Sequence, residues 1–143
     1  MTRQILVPID DSDRSTAALE FAVENYPEDR LVAFHAIDPG NFPTGGLEAG
    51  AFGDFERVRK NYEEQAEQLL EHAAESAIEA GVDVETVVEI GRPARTIVEY
   101  ADEHDVDHVV IGSHGRTGAS RILLGSVAEA VTRRSSVPVT IVR

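Results

Sequence analysis

Val109-Val110-Ile111-Gly112-Ser113-His114-Gly115-Arg116-Thr117-Gly118, continuing to Leu124-Gly125-Ser126-Val127, is the stretch from which the rest of the chain is read. A β-branched apolar run stops at Gly112, Gly115 and Gly118, and Gly125-Ser126 then opens a pattern with helical spacing. The segment therefore reads as strand, glycine loop and helix start. Glycine lets backbone N–H groups approach a ligand with no Cβ in the way. The first turn of a helix adds N–H groups without intrahelical partners and a partial positive charge, which together favour an anion such as phosphate. The spacing Gly112-x2-Gly115-x9-Gly125-Ser126 is not that of a P-loop, which needs Lys after its second glycine. Nor is it the Gly-x-Gly-x-x-Gly of a dinucleotide site.

Working outward, strand and helix patterns alternate. Gln4 to Ile9 is an apolar run ending at Pro8, the mark of a strand buried on both faces. Asp10-Asp11-Ser12-Asp13 offers an N-cap and first-turn carboxylates to a helix with the stripe Ala18, Phe21, Ala22. Leu31 to Ile37 is a second strand, and Pro39 to Asp54 a long glycine-rich loop of the kind that is usually functional or disordered. Phe55 to Ala80 carries Tyr62, Ala66, Leu69, Leu70, Ala73 and Ala77 at helical spacing and ends at Gly81. Val82 to Ile90 alternates as an outer strand does. Gly91-Arg92-Pro93 turns into a helix with apolar Ala94, Ile97, Val98 and Ala101, and Val137 to Val142 is the last strand.

This βαβ alternation gives an α/β fold, a doubly wound five-stranded parallel sheet with helices on both faces, in a single domain spanning 1–143. Right-handed crossovers and a change of winding direction after the second helix give the strand order 3-2-1-4-5. Strands one and four then meet at the switch point, beyond whose carboxyl ends ligands bind. Asp10 and the loop from Gly112 to Gly118 converge there from distant parts of the chain.

Several tempting residues have plain structural readings. His35 lies in an apolar run, where a histidine is more often a core residue with its nitrogens satisfied. Asp10 serves a turn or cap as readily as a ligand. Ser126 with Glu129 has capping-box spacing, although a hydroxyl can also turn to a phosphate; no comparable role is read for Gly112, Gly115 or Gly125. Arg92 fits a surface arginine at a turn. His104-Asp105-Val106-Asp107-His108 changes from helix to strand at its end, so its two histidines do not share a helical face and the cluster reads as a solvated turn. The glutamates of the long helix form a solvated face. Ser113 and His114 lack a Gly-x-Ser-x-Gly elbow, so neither they nor any other residue is assigned to catalysis or to metal binding.

Composition narrows the partners. The 143 residues carry 26 acidic against 13 basic side chains, a net charge of −13, and Lys60 is the one lysine. Such a surface repels nucleic-acid phosphates and anionic lipid, so neither nucleic acid nor membrane is expected as a partner. With 42% hydrophobic residues the chain is not a disordered acidic segment. No apolar run reaches membrane-spanning length, no signal peptide is read at the start, and cysteine is absent, all of which lead to the expectation of a cytoplasmic protein. The acidic excess points to a high-salt cytoplasm.

The glycine spacing, together with Ile5-Leu6-Val7-Pro8-Ile9-Asp10, resembles the nucleotide-binding members of the universal stress protein family over essentially the whole chain. The resemblance implies a nucleotide-binding set of Pro8, Asp10, Ala36, Gly112, Ser113, Gly115, Arg116, Gly125, Ser126 and Val127. Asp10 would face the adenosine part, the Ala36 backbone the adenine edge, and Arg92 the neighbourhood of the phosphates or ribose. It also implies ATP as cofactor, with Mg or Mn as a companion ion, and a homodimer formed through the C-terminal strand Val137 to Val142. A stress or signalling switch controlled by ATP occupancy is the first function expected. A slow ATP-hydrolysing enzyme drawing on His114 and Arg116, and a ligand-free interaction module, are the alternatives.

Overall fold

The computed structural model of the chain describes residues 2–42, 52–113 and 124–143; for residues 52–54 it describes the helical backbone. In chain order the elements are β1 Gln4–Pro8, α1 Asp13–Asn25, β2 Arg30–Ile37, a 3-10 turn Pro39–Asn41, α2 Phe52–Glu79, β3 Val84–Ile90, α3 Pro93–Glu103, β4 His108–Gly112, α4 Ser126–Arg134 and β5 Val139–Val142. The five strands form one parallel sheet in the order β3-β2-β1-β4-β5, as the alternation of patterns requires.

The period of two along each strand divides the core into two layers. Ile5, Val7, Leu31, Ala33 and Val110 pack under α1 and α2, against Ala18, Leu19, Ala22 and Leu70. Leu6, Val32, Phe34, Val109 and Ile111 pack under α3 and α4, against Ile97, Tyr100, Ala101, Ala128 and Val131. Ile5, Leu6 and Val7 of β1 thus face opposite layers in turn and are all fully buried, which is why this part of the strand is continuously apolar rather than alternating. Burial of each such side chain stabilises the fold by about 1.5–3 kcal/mol.

Helix ends follow local chemistry. Ser12 is the N-cap of α1, its hydroxyl accepting from the Ser15 amide. At the end of α2, Gly81 takes φ +82°, its N–H bonding the Ile78 carbonyl and that of Val82 the Ala77 carbonyl. Because the Val82 amide closes that helix, β3 begins at Val84 rather than Val82. α2 begins at Phe52, three residues before the expected Phe55. Buried Phe42 packs on Phe55 and Tyr62 at ring distances of 5.9 and 4.8 Å, and the Tyr62 hydroxyl donates to the Asn41 carbonyl. Most of the expected loop from Pro39 to Asp54 lies outside the described residues. Among the described residues no helix is long and apolar enough to cross a membrane.

Candidate functional site

The site is built from the way backbones end at the carboxyl edge of the sheet. In a parallel ladder the N–H and C=O of one residue point to the same neighbour, and successive residues alternate sides. The Arg30 amide bonds the Arg3 carbonyl, and the Ile9 amide bonds the Phe34 carbonyl at 2.7 Å, so odd residues of β1 and even residues of β2 face each other. The Asp107 amide bonds the Gln4 carbonyl, so even residues of β1 face β4. Pro8 therefore turns its hydrogen-free nitrogen toward β4. The β1–β4 register accordingly ends at Leu6 opposite Val109, whereas the β1–β2 register continues to Pro8 opposite Phe34. A proline at the end of a central strand thus separates the two strands at the switch point. That signal is legible in the sequence, because proline within a sheet is confined to positions needing no ladder donor.

Ala36 lies one step beyond this edge. By the same parity its N–H and C=O face the side that β1 has left, while Ile37 turns the other way and accepts from the Gly91 amide on the β3 side. Among the described residues no backbone hydrogen bond reaches the Ala36 amide, which sits half-buried at the crevice.

On the β4 side, Val109 and Ser113 bond toward β5, leaving Gly112 facing the gap beyond Pro8. Gly112 has a packing role that the sequence reading did not assign to it. A Cβ there would lie 2.7 Å from the Arg14 carbonyl carbon and oxygen and 2.9 Å from its Cβ, because the first turn of α1 crosses the end of β4. Buried Ser113 donates its amide to the Val142 carbonyl and accepts, through its own carbonyl, the Gly125 amide at 2.6 Å. That bond pins the start of α4 beside the end of β4.

The capping box expected at Ser126 is not formed. Gly125 is the N-cap, with φ −62° and ψ 153°, and Ser126 is already the first helical residue. The bond from Gly125 to Ser113 fixes the turn one residue early. The first intrahelical bond then runs from the Glu129 amide to the Gly125 carbonyl, and the Glu129 carboxylate pairs with Arg133 one turn on. The amides of Ser126, Val127 and Ala128 precede that first bond, and glycine has no side chain to accept from them. Val127 packs its half-buried side chain against the α3–α4 layer.

Asp10 stands at the mouth of the crevice in the turn role foreseen for it. Its Oδ1 accepts from the Ser12 amide at 2.8 Å and from the Ser12 hydroxyl. This carboxylate is thereby held by the cap of α1. His35, half-buried, places Nδ1 2.6 Å from the Ile9 carbonyl. Arg92 is exposed at the start of α3, its carbonyl accepting the Thr96 hydroxyl. The histidines near the α3–β4 turn diverge: His104 stacks on Tyr100 and His108 meets the Thr140 hydroxyl. Among the described residues no three His, Asp or Glu side chains gather as a metal site. Pro8, Asp10, Ala36, Gly112, Ser113, Gly125, Ser126 and Val127 all belong to segments at the carboxyl edge of the sheet or at the α4 start pinned to it. Gly115 and Arg116, with His114, lie outside the described residues.

The sequence model of the universal stress protein family matches residues 1–143. The chain belongs to that family. The universal stress protein MJ0531 of Methanocaldococcus jannaschii is 35% identical over 143 residues, an alignment covering 99% of this chain and 82% of the relative. The solved structure of MJ0577, a universal stress protein of the same organism, superposes with a TM-score of 0.82 at 31% identity, covering 99% of this chain and 96% of that one. A universal stress protein solved in complex with cAMP superposes with a TM-score of 0.71 at 28% identity, covering 99% and 97%.

Proposed function

We propose that this universal stress protein binds an adenine nucleotide, ATP by preference, in the crevice between β1 and β4, and that occupancy acts as a regulatory switch. One observation carries the reading: backbone groups of Ala36 and of the α4 start that have no backbone partner among the described residues border a gap opened by Pro8. The base then lies along the Ala36 backbone beside Asp10, and the phosphates face the Ser126, Val127 and Ala128 amides, with Gly115 and Arg116 as the further phosphate-binding residues that the family resemblance implies. The amides and helix dipole fit an anion without a lysine. The described residues contribute no cluster of His, Asp or Glu for a companion Mg or Mn. The relative in complex with cAMP supports the class of ligand.

Calorimetric titration with ATP, ADP, AMP and adenosine, beside a Ser126→Asp variant, tests this. A carboxylate at the first helical position suits the α4 dipole but repels phosphate, so ATP affinity should fall about tenfold or more while adenosine binding is unchanged. Unaltered ATP affinity in the folded variant rejects the proposed phosphate site. ADP appearing in the same cell identifies hydrolysis.

The proposal extends to assembly and setting. β5 lies at the sheet edge with Val139 to Val142 half-buried, and pairing with the same strand of a second copy would cover it in an isologous contact. Sedimentation at micromolar protein should give a dimer. The net charge of −13 supports a salt-rich cytoplasm as its working environment.

A further inference from the structure

We infer that His35 is a positioning residue of the nucleotide site: its imidazole occupies the Ile9 carbonyl and thereby keeps the Ala36 amide unbonded and open to a nucleobase edge. The inference rests on the adenine-nucleotide reading of the crevice. It starts from a ladder that stops half-way through a step. With the Ile9 amide on the Phe34 carbonyl at 2.7 Å, the next bond of a parallel ladder would run from the Ala36 amide to the Ile9 carbonyl. That bond is absent, and the register ends at Pro8 opposite Phe34. The Ile9 carbonyl instead lies 2.6 Å from His35 Nδ1.

Ile9 is 6% exposed, and a buried carbonyl left without a donor is costly. Two donors lie within range of it, the Ala36 amide along the sheet and the imidazole from the α1–α2 face, and it is the imidazole that bonds it and sets the direction of approach. A carbonyl only accepts, so Nδ1 carries the hydrogen. The result is an N–H and a C=O of one residue side by side, facing the gap beyond Pro8. Such a pair matches the adjacent acceptor and donor on an adenine edge. His35 thus acts through Ala36, without contact to ligand.

Amide hydrogen exchange by NMR on the full chain, with titrations of AMP and of tripolyphosphate as a probe lacking a base, tests this in wild type, His35→Leu and His35→Asn. Leucine removes the donor, so the Ala36 amide should close onto Ile9 and its exchange slow about a hundredfold. AMP affinity should then fall about tenfold while tripolyphosphate binding stays the same. An asparagine side chain can still donate to the Ile9 carbonyl, so His35→Asn should keep wild-type exchange and AMP affinity within about twofold, which separates positioning from packing. Equal exchange at Ala36 in wild type and His35→Leu overturns the inference, as does equal weakening of AMP and tripolyphosphate. If wild type binds neither probe, the nucleotide reading itself fails, and the exchange comparison alone decides whether His35 governs the amide.

Discussion

The two ends of the sheet are finished in opposite ways. At the amino end of the strands, side chains bridge neighbouring segments. Asp107 accepts the Gln4 amide at 2.8 Å, Arg3 pairs with Asp29 at 2.8 Å and lies over the Tyr26 ring, and Arg30 forks onto Glu85. His108 reaches the Thr140 hydroxyl at 2.6 Å. At the carboxyl end, side chains hold Ile9 and the α1 cap, but among the described residues backbone is left without a ladder partner at Pro8, Ala36, Gly112 and the start of α4. Closed ends position strands, whereas an end left unfinished has hydrogen-bonding capacity for something that is not protein. The same parallel ladder supplies both, and a proline, a glycine and a histidine make the difference.

The largest expected effect comes from filling the open end. Gly112→Val places a side chain against the Arg14 backbone, which cannot move without shifting α1, and should cost about 3 kcal/mol or more. Urea unfolding measures it. Arg30→Ala at the closed end should cost less than about 1 kcal/mol, because the Arg30–Glu85 pair is more than half exposed. Similar losses for the two variants would remove the asymmetry.

Salt comes next. If the exposed ion pairs of the closed end dominated, salt would destabilise the protein by screening them. With 26 acidic against 13 basic side chains, repulsion should outweigh them. The Debye length shrinks from about 10 Å at 0.1 M to about 3 Å at 1 M, so the melting temperature should rise with potassium chloride across that range. A fall would show the pairs to be the stronger term.

These differences also mark what could be read in the chain beforehand. The strands and both helical layers follow from apolar periodicity and from the alternation of strand and helix, which are local signals; the strand order needs in addition right-handed crossovers and a change of winding direction, and Ala36 comes from the family resemblance. The contact of Gly112 with Arg14 is not local, and no pattern near Gly112 announces it. The cap of α4 lies at Gly125 rather than Ser126 for the same reason: the Ser113 carbonyl, twelve residues earlier in the chain, decides where the helix begins. His35 was legible as a histidine with a satisfied nitrogen. What its bond denies to Ala36 needed the register of two strands.

A smaller effect is expected at Ser12, where the open end meets α1. Ser12→Ala removes the N-cap acceptor and one of the two donors on Asp10 Oδ1, and should cost about 1 kcal/mol of stability. The freed Asp10 carboxylate should change adenosine affinity without changing tripolyphosphate affinity. An unaltered adenosine titration would separate Asp10 from the ligand and leave it to the turn.

The smallest expected effect tests the closed end alone. Burial and the neighbouring Arg3 charge hold the His108 pKa below its ordinary 6.5. The unfolded chain therefore binds a proton that the folded chain resists, so stability is complete above the unfolded value and declines as pH falls through it toward the lowered folded value. His108→Gln removes that titration and can keep a hydrogen bond to Thr140. Between neutral pH and about 5, wild type should lose stability faster than the variant, while AMP affinity follows the same course in both, since His108 lies at the opposite end of the sheet from the crevice. Parallel stability curves would mean that the proton is taken up without cost. A divergence in AMP affinity would mean that the two ends are coupled through β4, and the division between a closed and an open edge would then describe geometry but not energetics.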